Sequence, residues 1–228
     1  MLLGLIVLSA LAMVVVGAVT AYMLLSSDGE MDTAATVEVV EPPMALPPGV
    51  QEGEPYISFG EGGPVVDVYV DYLCSYCADL AAVNSEDLRE LAGADEATVR
   101  FHLRPTLNSR SDSGEYSERA ANAAVAVWAE DPELFWDMEL MLYGAIAEHG
   151  TAGLSDEELL AAAQEVGATD PSTAEAITEG TYREWIRDVV EEQARETVEG
   201  IPTVLIDGEQ FTGDWAADGE LRAAIEGA

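Results

Sequence analysis

The chain's only two cysteines are three residues apart, in Cys74-Ser75-Tyr76-Cys77, and they fall where one periodicity gives way to another. Before them, Val66, Val68, Val70 and Tyr72 alternate with Asp67, Tyr69 and Asp71, the two-residue repeat of a strand over Val65 to Tyr72. After them a helix is expected from Ser75 to Leu91. Two cysteines placed at random take this spacing roughly once in a hundred chains. A cysteine at a helix start faces unpaired backbone N–H groups, which favour thiolate over thiol. The thiolate is the attacking species in disulfide exchange. Cys74, at the helix start, is therefore expected to be the exposed nucleophile. Cys77, one turn further in, is expected to be the buried resolving thiol that attacks the mixed disulfide.

Other uses of two thiols compete with this one. A structural disulfide usually closes a long loop, and this pair closes almost none. A zinc site needs about four ligands, and only His102 and His149 remain to join the thiols, neither at a convincing spacing. A soft copper site built on the two thiolates, with a methionine, stays open. No cofactor is expected and no metal ligand is assigned.

Downstream, Gly200-Ile201-Pro202-Thr203 leads into a strand over Thr203 to Ile206. Proline at the head of a central strand removes a ladder donor. A cis Ile201–Pro202 bond accounts for it and leaves the Ile201 backbone free to pair with an extended substrate beside Cys74. Asp207-Gly208 signals a two-residue hairpin into Glu209 to Phe211.

The remaining elements follow from pattern. Thr98 to Leu103 alternates as a second strand, and Tyr56 to Phe59 is placed to pair before the turn at Gly60 to Pro64. From Glu115 to Gly180 the pattern is helical, with a capping box at Ser155-Asp-Glu-Glu158. Phe135, Trp136, Met138, Met141 and Tyr143 are expected to pack this block. Paired apolar positions every four residues over Thr181 to Glu199 give a long packed helix, with Gly200 as a left-handed cap. Asp218 to Glu226 closes the chain. His102 is read as a structural histidine on a polar strand face, His149 as part of a Gly-rich turn, and Arg104-Pro105 as a loop without chemistry.

Residues 1 to 27 carry no charge, and Leu2 to Leu25 is almost wholly apolar, long enough to span a bilayer. The basic n-region of a secretory signal is missing, so residues 1–26 are read as a retained anchor in preference to a cleaved signal. Residues 27–55, with acids interleaved among five prolines, read as an extended linker. The expected location is therefore the cell membrane, single-pass, with the head at 56–228 on the extracytoplasmic side. The formal charge is −35, every base is arginine, and nucleic acid is excluded as a partner. The acid excess suits either a well-solvated surface or one adapted to concentrated salt, where packed carboxylates repel one another little.

Together these features resemble the thioredoxin superfamily: strand, CxxC at a helix start, strand, helical block, long helix, then Gly-Ile-Pro-Thr and a hairpin. The insertion of helices over about 115–180 resembles the DsbA-like disulfide oxidoreductases. Asp71-Tyr72-Leu73-Cys74-Ser75-Tyr76-Cys77, Glu115-Tyr116-Ser117 with Arg119 to Ala124, and Thr181-Tyr182-Arg183-Glu184-Trp185 are similar to the membrane-anchored actinobacterial members. The resemblance implies an α/β thioredoxin-like fold with an inserted helical subdomain. It implies Cys74 as nucleophile, Cys77 as resolving thiol, Pro202 as the cis-proline, and Ser75, Tyr76 and Ile201 as tuning and substrate-binding residues. Reduced exported proteins are the implied partners, with a quinone-linked membrane enzyme as reoxidant. The chain also departs from the family. Ser75-Tyr76 stands where Pro-His or Pro-Tyr is common, and Val68 stands where many relatives carry a buried acid. Asp71 is a candidate for that acid's proton transfer, against a plainer role as a solvated or capping strand-end acid. The direction of exchange is left open between an oxidant and a reductase or isomerase, with a copper- or zinc-binding module as the alternative class.

Overall fold

The computed structural model describes residues 43–228. The expected anchor and the linker up to residue 42 lie outside them. No helix among the described residues is long and apolar enough to cross a membrane.

Five strands form one sheet in the order β1-β3-β2-β4-β5: β1 Ile57–Phe59, β2 Val65–Val70, β3 Thr98–Leu103, β4 Thr203–Ile206 and β5 Glu209–Gln210. β2 and β3 run parallel with Val68 opposite Phe101, and the other pairs are antiparallel, with Tyr69 opposite Thr203. The parallel pair is joined by α1, Ser75–Gly93, as the crossover that a parallel pair requires. The β4–β5 turn carries Asp207 and Gly208 both at positive φ, the backbone twist that a two-residue hairpin needs.

Both faces of the sheet are covered. On one, Val66, Val68 and Val70 align with Val99, Phe101 and Leu103. Phe101 meets Phe135 and Trp136 at ring separations of 4.9 and 5.6 Å. On the other, Tyr69 and Leu205 pack with Ala194 and Val198. Asp67, Tyr69 and His102 alternate with the apolar face, but they do not form an open polar face. His102 is buried, stacked on Tyr69 at 4.0 Å and bonded to Asp67 at 2.9 Å.

The insertion consists of α2 Tyr116–Glu130, α3 Pro132–His149, α4 Asp156–Glu165 and α5 Pro171–Glu179. α2 is buried on nearly every side, which explains its alanines: a helix enclosed by neighbours has room only for small side chains. The capping box at Ser155 and Glu158 is present as expected. Asn122 ties α2 to the end of α5 by donating to the Ala176 carbonyl and accepting from Tyr182 N–H.

Two expectations are corrected. The long helix, α6, runs over residues 183–197 and contains a π-helical stretch, Ile186–Glu191. It stops at Thr197 because Val198 turns extended (φ −134°, ψ 145°), so Gly200 is not a left-handed cap. Residues 43–55, expected as extended linker, lie on the head. Met44, Leu46 and Val50 pack against the core, Trp185 Nε1 donates to the Glu54 carbonyl at 2.9 Å, and Gln193 donates to that of Gly53 at 2.8 Å. Prolines and acids stiffen a chain locally, but the apolar side chains between them still find the core. α7, Glu220–Glu226, packs on α1 and closes the fold.

Two glycines make opposite demands. Gly63 has φ +61° and faces the Glu96 carbonyl so closely that a methyl group has no space. Gly144 lies in the exposed middle of α3 with nothing near its missing side chain. Gly63→Ala is expected to cost at least about 1–2 kcal/mol from the left-handed backbone alone. Gly144→Ala is expected to stabilise by roughly 0.5–1 kcal/mol. Urea unfolding of the two variants checks both signs.

Candidate active site

The site begins where β2 ends. Asp71 folds the chain back: its side chain accepts from Leu73 N–H at 2.8 Å, and its carbonyl accepts from Cys74 N–H at 3.0 Å. This turn delivers Cys74 to the N-cap of α1 in an extended conformation (φ −90°, ψ 113°). An N-cap side chain normally supplies an oxygen to the first free N–H groups. In this protein the acceptor is sulfur, and Cys77 N–H donates to Cys74 Sγ at 3.4 Å.

The two thiols are free and respond oppositely to this setting. The Cys74 thiol is lowered to about 7, first by the hydrogen bond from Cys77, with burial opposing and the Cys77 and Tyr76 backbone N–H groups adding to the fall. Burial pushes the Cys77 thiol far up, and the neighbouring Cys74 sulfur pushes it further. One sulfur is thus poised to ionise near neutrality and the other holds its proton. Access follows the same order, with Cys74 8% exposed and Cys77 fully enclosed. Cys74 is still more covered than an exposed nucleophile was expected to be, because the Asp71 turn tucks the helix start against the sheet. Beside it, Ser75 and Tyr76 are exposed, and Tyr76, at 65%, offers an aromatic surface next to the sulfur.

The Ile201–Pro202 bond is cis. Thr203 pairs with Tyr69, so Pro202 and Ile201 continue alongside the end of β2, where the chain turns to Cys74. The sheet register therefore brings together two segments that are far apart in the sequence.

Asp71 is buried rather than solvated. Besides Leu73 it accepts from Leu107 N–H and Ser117 Oγ, both at 2.7 Å. Burial raises its carboxyl to about 6 against the pull of these three donors. Its capping role is present, and its charge also bears on both sulfurs, raising each. Ser117 has no chemistry in the sequence pattern; it reaches Asp71 only through the insertion. Arg104, to which no role was assigned, forms a buried ion pair with Glu191 (Nε to Oε2, 2.8 Å), joined by Thr106 and Arg195. The pair pins the loop after β3 to α6. His149 lies at the end of α3, 3.8 Å from Glu148. Among the described residues no group of three or more His, Cys, Asp or Glu is arranged to hold a metal ion.

A family model described as thioredoxin matches residues 60–227. Among curated proteins, the serine/threonine-protein kinase PknE of Mycobacterium tuberculosis is 29% identical over 119 residues, covering 50% of this chain and 21% of that one. The chain thus spans about a fifth of the length of the curated relatives it matches. Among solved structures, DsbA from Mycobacterium tuberculosis is similar with a TM-score of 0.65 at 21% identity, covering 76% of this chain and 92% of that one. MdbA, a thiol-disulfide oxidoreductase from Actinomyces oris, is similar with a TM-score of 0.64 at 22% identity, covering 76% and 85%. BdbD from Bacillus subtilis is similar with a TM-score of 0.60 at 19% identity, covering 77% and 92%. At these identities the structural likeness is one of fold.

Thiolate absorbance of the reduced full chain is expected to titrate with a midpoint near 7 for Cys74. Cys77→Ala removes the largest stabiliser of the anion and should move the midpoint up. Asp71→Asn removes an opposing charge and should move it down. A wild-type midpoint at the ordinary thiol value of about 8.5 contradicts the N-cap assignment.

Proposed function

The chain belongs to the thioredoxin family, and on that premise we propose that it is a DsbA-like thiol-disulfide oxidoreductase acting on exported proteins. The observation that carries this reading is the asymmetry within one helical turn: a thiol lowered to about 7 at the N-cap and an enclosed thiol held protonated. In the oxidising direction, a client thiolate attacks Cys74 of the Cys74–Cys77 disulfide. A client–Cys74 disulfide forms, and Cys77 leaves and takes up a proton. A second client thiolate then attacks the client sulfur and releases Cys74 as a thiolate, which the N–H groups at the helix start receive. Two electrons pass from the client to the protein. In this reading an extended client segment rests on the Ile201 backbone and on the ring of Tyr76; the β4 register, which runs Ile201 alongside the end of β2, and the exposure of Tyr76 support it.

Direction is the finer part of the proposal. The apolar stretch at residues 2–25 argues for a membrane anchor and an extracytoplasmic head, where disulfides persist. That setting favours donation of the disulfide, followed by reoxidation by a quinone-linked membrane enzyme. The thiolate itself supplies only a modest push. A thiol whose folded value lies below its unfolded one stabilises the reduced form above the unfolded value, and this stabilisation fades as pH falls through the folded value. With the Cys74 thiol lowered to about 7, only about half of it is ionised at neutral pH, so most of this stabilisation is absent there. Strong oxidants of this fold have far lower thiolate values. The protein is accordingly proposed as a mild oxidant. The same observation supports a second reading, an isomerase or reductase of the same fold.

Equilibration of the full chain in detergent with glutathione buffers is expected to give a potential above about −270 mV. A pair still oxidised in buffers poised below about −300 mV behaves as a structural disulfide and removes the donor reading. Cys74→Ser should abolish oxidation of a reduced client. Cys77→Ser should accumulate mixed disulfides that the wild type does not.

A further inference from the structure

Asp71 closes the turn that carries Cys74, and three donors hold its carboxylate. Leu73 N–H and Ser117 Oγ reach Oδ1 at 2.8 and 2.7 Å, and Leu107 N–H reaches Oδ2 at 2.7 Å. Two of the three are backbone groups fixed by the fold. Ser117 is the one side chain among them. It is fully buried on the first turn of α2, 46 residues along the chain from Asp71. Serines near a helix start commonly bond the backbone of their own turn. This hydroxyl instead spends its single proton on a carboxylate from another part of the fold.

The start of α2 is built around this contact. Glu115 enters the helix in the left-handed region (φ 54°, ψ 32°) without a side-chain cap, a conformation that a residue with a Cβ seldom adopts. Such backbone persists where surrounding contacts impose it. Arg183 pairs with both Glu115 and Glu118. Asn108 exchanges two hydrogen bonds with Glu118: its Nδ2 donates to Oε2 at 3.1 Å, and its Oδ1 accepts from Glu118 N–H at 3.0 Å. Asn108 directly follows Leu107. The first turn of α2 therefore holds Asp71 twice, directly through Ser117 and, through Asn108, by fixing the loop that presents Leu107 N–H.

We propose that Ser117 is a positioning residue for the exchange: from the helical insertion it keeps the Asp71 carboxylate charged and in place in the Cys74 turn, and thereby restrains the thiolate and keeps the oxidant mild. The assignment rests on the exchange chemistry of Cys74 and Cys77 proposed above. A hydroxyl that donates to a carboxylate favours its charged form, and a negative charge beside a thiol opposes the thiolate. Ser117 thus works against the amides at the helix start. Burial lifts the Asp71 carboxyl to about 6, with the Ser117 hydroxyl first among the donors that pull it back. Without that hydroxyl the carboxyl rises further and is neutral over more of the pH range, so the thiolate is less opposed. A more stable thiolate stabilises the reduced pair and makes the disulfide a stronger oxidant. The charged and titratable groups facing Asp71 are Glu191 from α6, Tyr116 from α2, Tyr143 from α3 and the two sulfurs of α1; those facing Cys74 are Cys77 and Asp71. Glu191 is paired with Arg104 and Arg195.

Alkylation of the reduced full chain in detergent by iodoacetamide, read at Cys74 by mass spectrometry across a pH series, gives the thiolate midpoint. In the wild type it is expected at about 7. Ser117→Ala should lower it by about 0.3 in pH, a twofold gain in the thiolate-to-thiol ratio, and Asp71→Asn should lower it further. Ser117→Thr, which keeps the hydroxyl, should hold the wild-type midpoint. In the Asp71→Asn background, Ser117→Ala should change nothing. In glutathione buffers at about pH 8, Ser117→Ala should be about twofold more easily reduced than the wild type. Lost packing alone predicts no downward shift that depends on Asp71. A Ser117→Ala midpoint that stays or moves up overturns the assignment. So does an equal downward shift with and without Asp71. Cys77→Ser, mixed with oxidised glutathione, tests the exchange chemistry separately by its mixed disulfide. If that disulfide forms while the Ser117→Ala midpoint is normal, the exchange chemistry stands and the positioning role falls. If none forms while the Ser117→Ala shift is present, the contact to Asp71 stands and the exchange reading falls.

Discussion

The unpaired N–H groups at the start of α1 are the constraint on which the rest of the structure depends. A helix leaves its first four amides without intrahelical partners, and something must accept from them. In most helices an oxygen does so. This chain presents the sulfur of Cys74, 3.4 Å from Cys77 N–H. The need of the helix and the chemistry of the thiol are met by one contact, because an amide that lacks an acceptor is also an amide that stabilises an anion. The turn held by Asp71 and the pairing of β2 with β3 set that sulfur at the helix mouth, and the β2–β4 register runs Ile201 and Pro202 alongside the end of β2.

Burial gives the two thiols different tasks. One turn along α1, Cys77 is fully enclosed by the core that includes Tyr72 and Tyr143. The same core lifts the carboxyls of Asp71 and Glu139 and leaves two tyrosine hydroxyls without a hydrogen-bond partner among the described residues. Buried polar groups cost stability unless they are satisfied. Arg104 and Glu191 show the satisfied case, a buried ion pair completed by Thr106 and Arg195. It fastens the loop after β3 to α6, and that loop supplies the Leu107 N–H which binds Asp71. The charged network thus supports the site without entering its chemistry.

Much of this was legible in the residue order. The strand before Cys74, the helix after it, the hairpin at Asp207-Gly208 and the capping box at Ser155 rest on contacts a few residues apart. Local periodicity and capping chemistry are enough to specify such features. The same local signals misread residues 43–55 and Gly200. Proline and acid content describes stiffness and says nothing of the apolar side chains that dock. A glycine after a helical pattern is one way to end a helix, and an extended Val198 is another. Alternation also placed His102 on a polar face, although α6 and the segment before β1 cover that side of the sheet.

By itself, the sequence determined which sulfur lies at the helix mouth and which lies one turn inside, because spacing along a helix fixes position on it. It also determined that a proline-led strand and a hairpin follow the long helix. Tertiary structure alone decided what surrounds those sulfurs. Ser117 reaches Asp71 across 46 residues, Ser85 reaches Glu139 across 54, and Arg104 reaches Glu191 across 87. Such pairings follow from how helices and sheet pack, and packing is a property of whole faces that no short stretch of chain encodes.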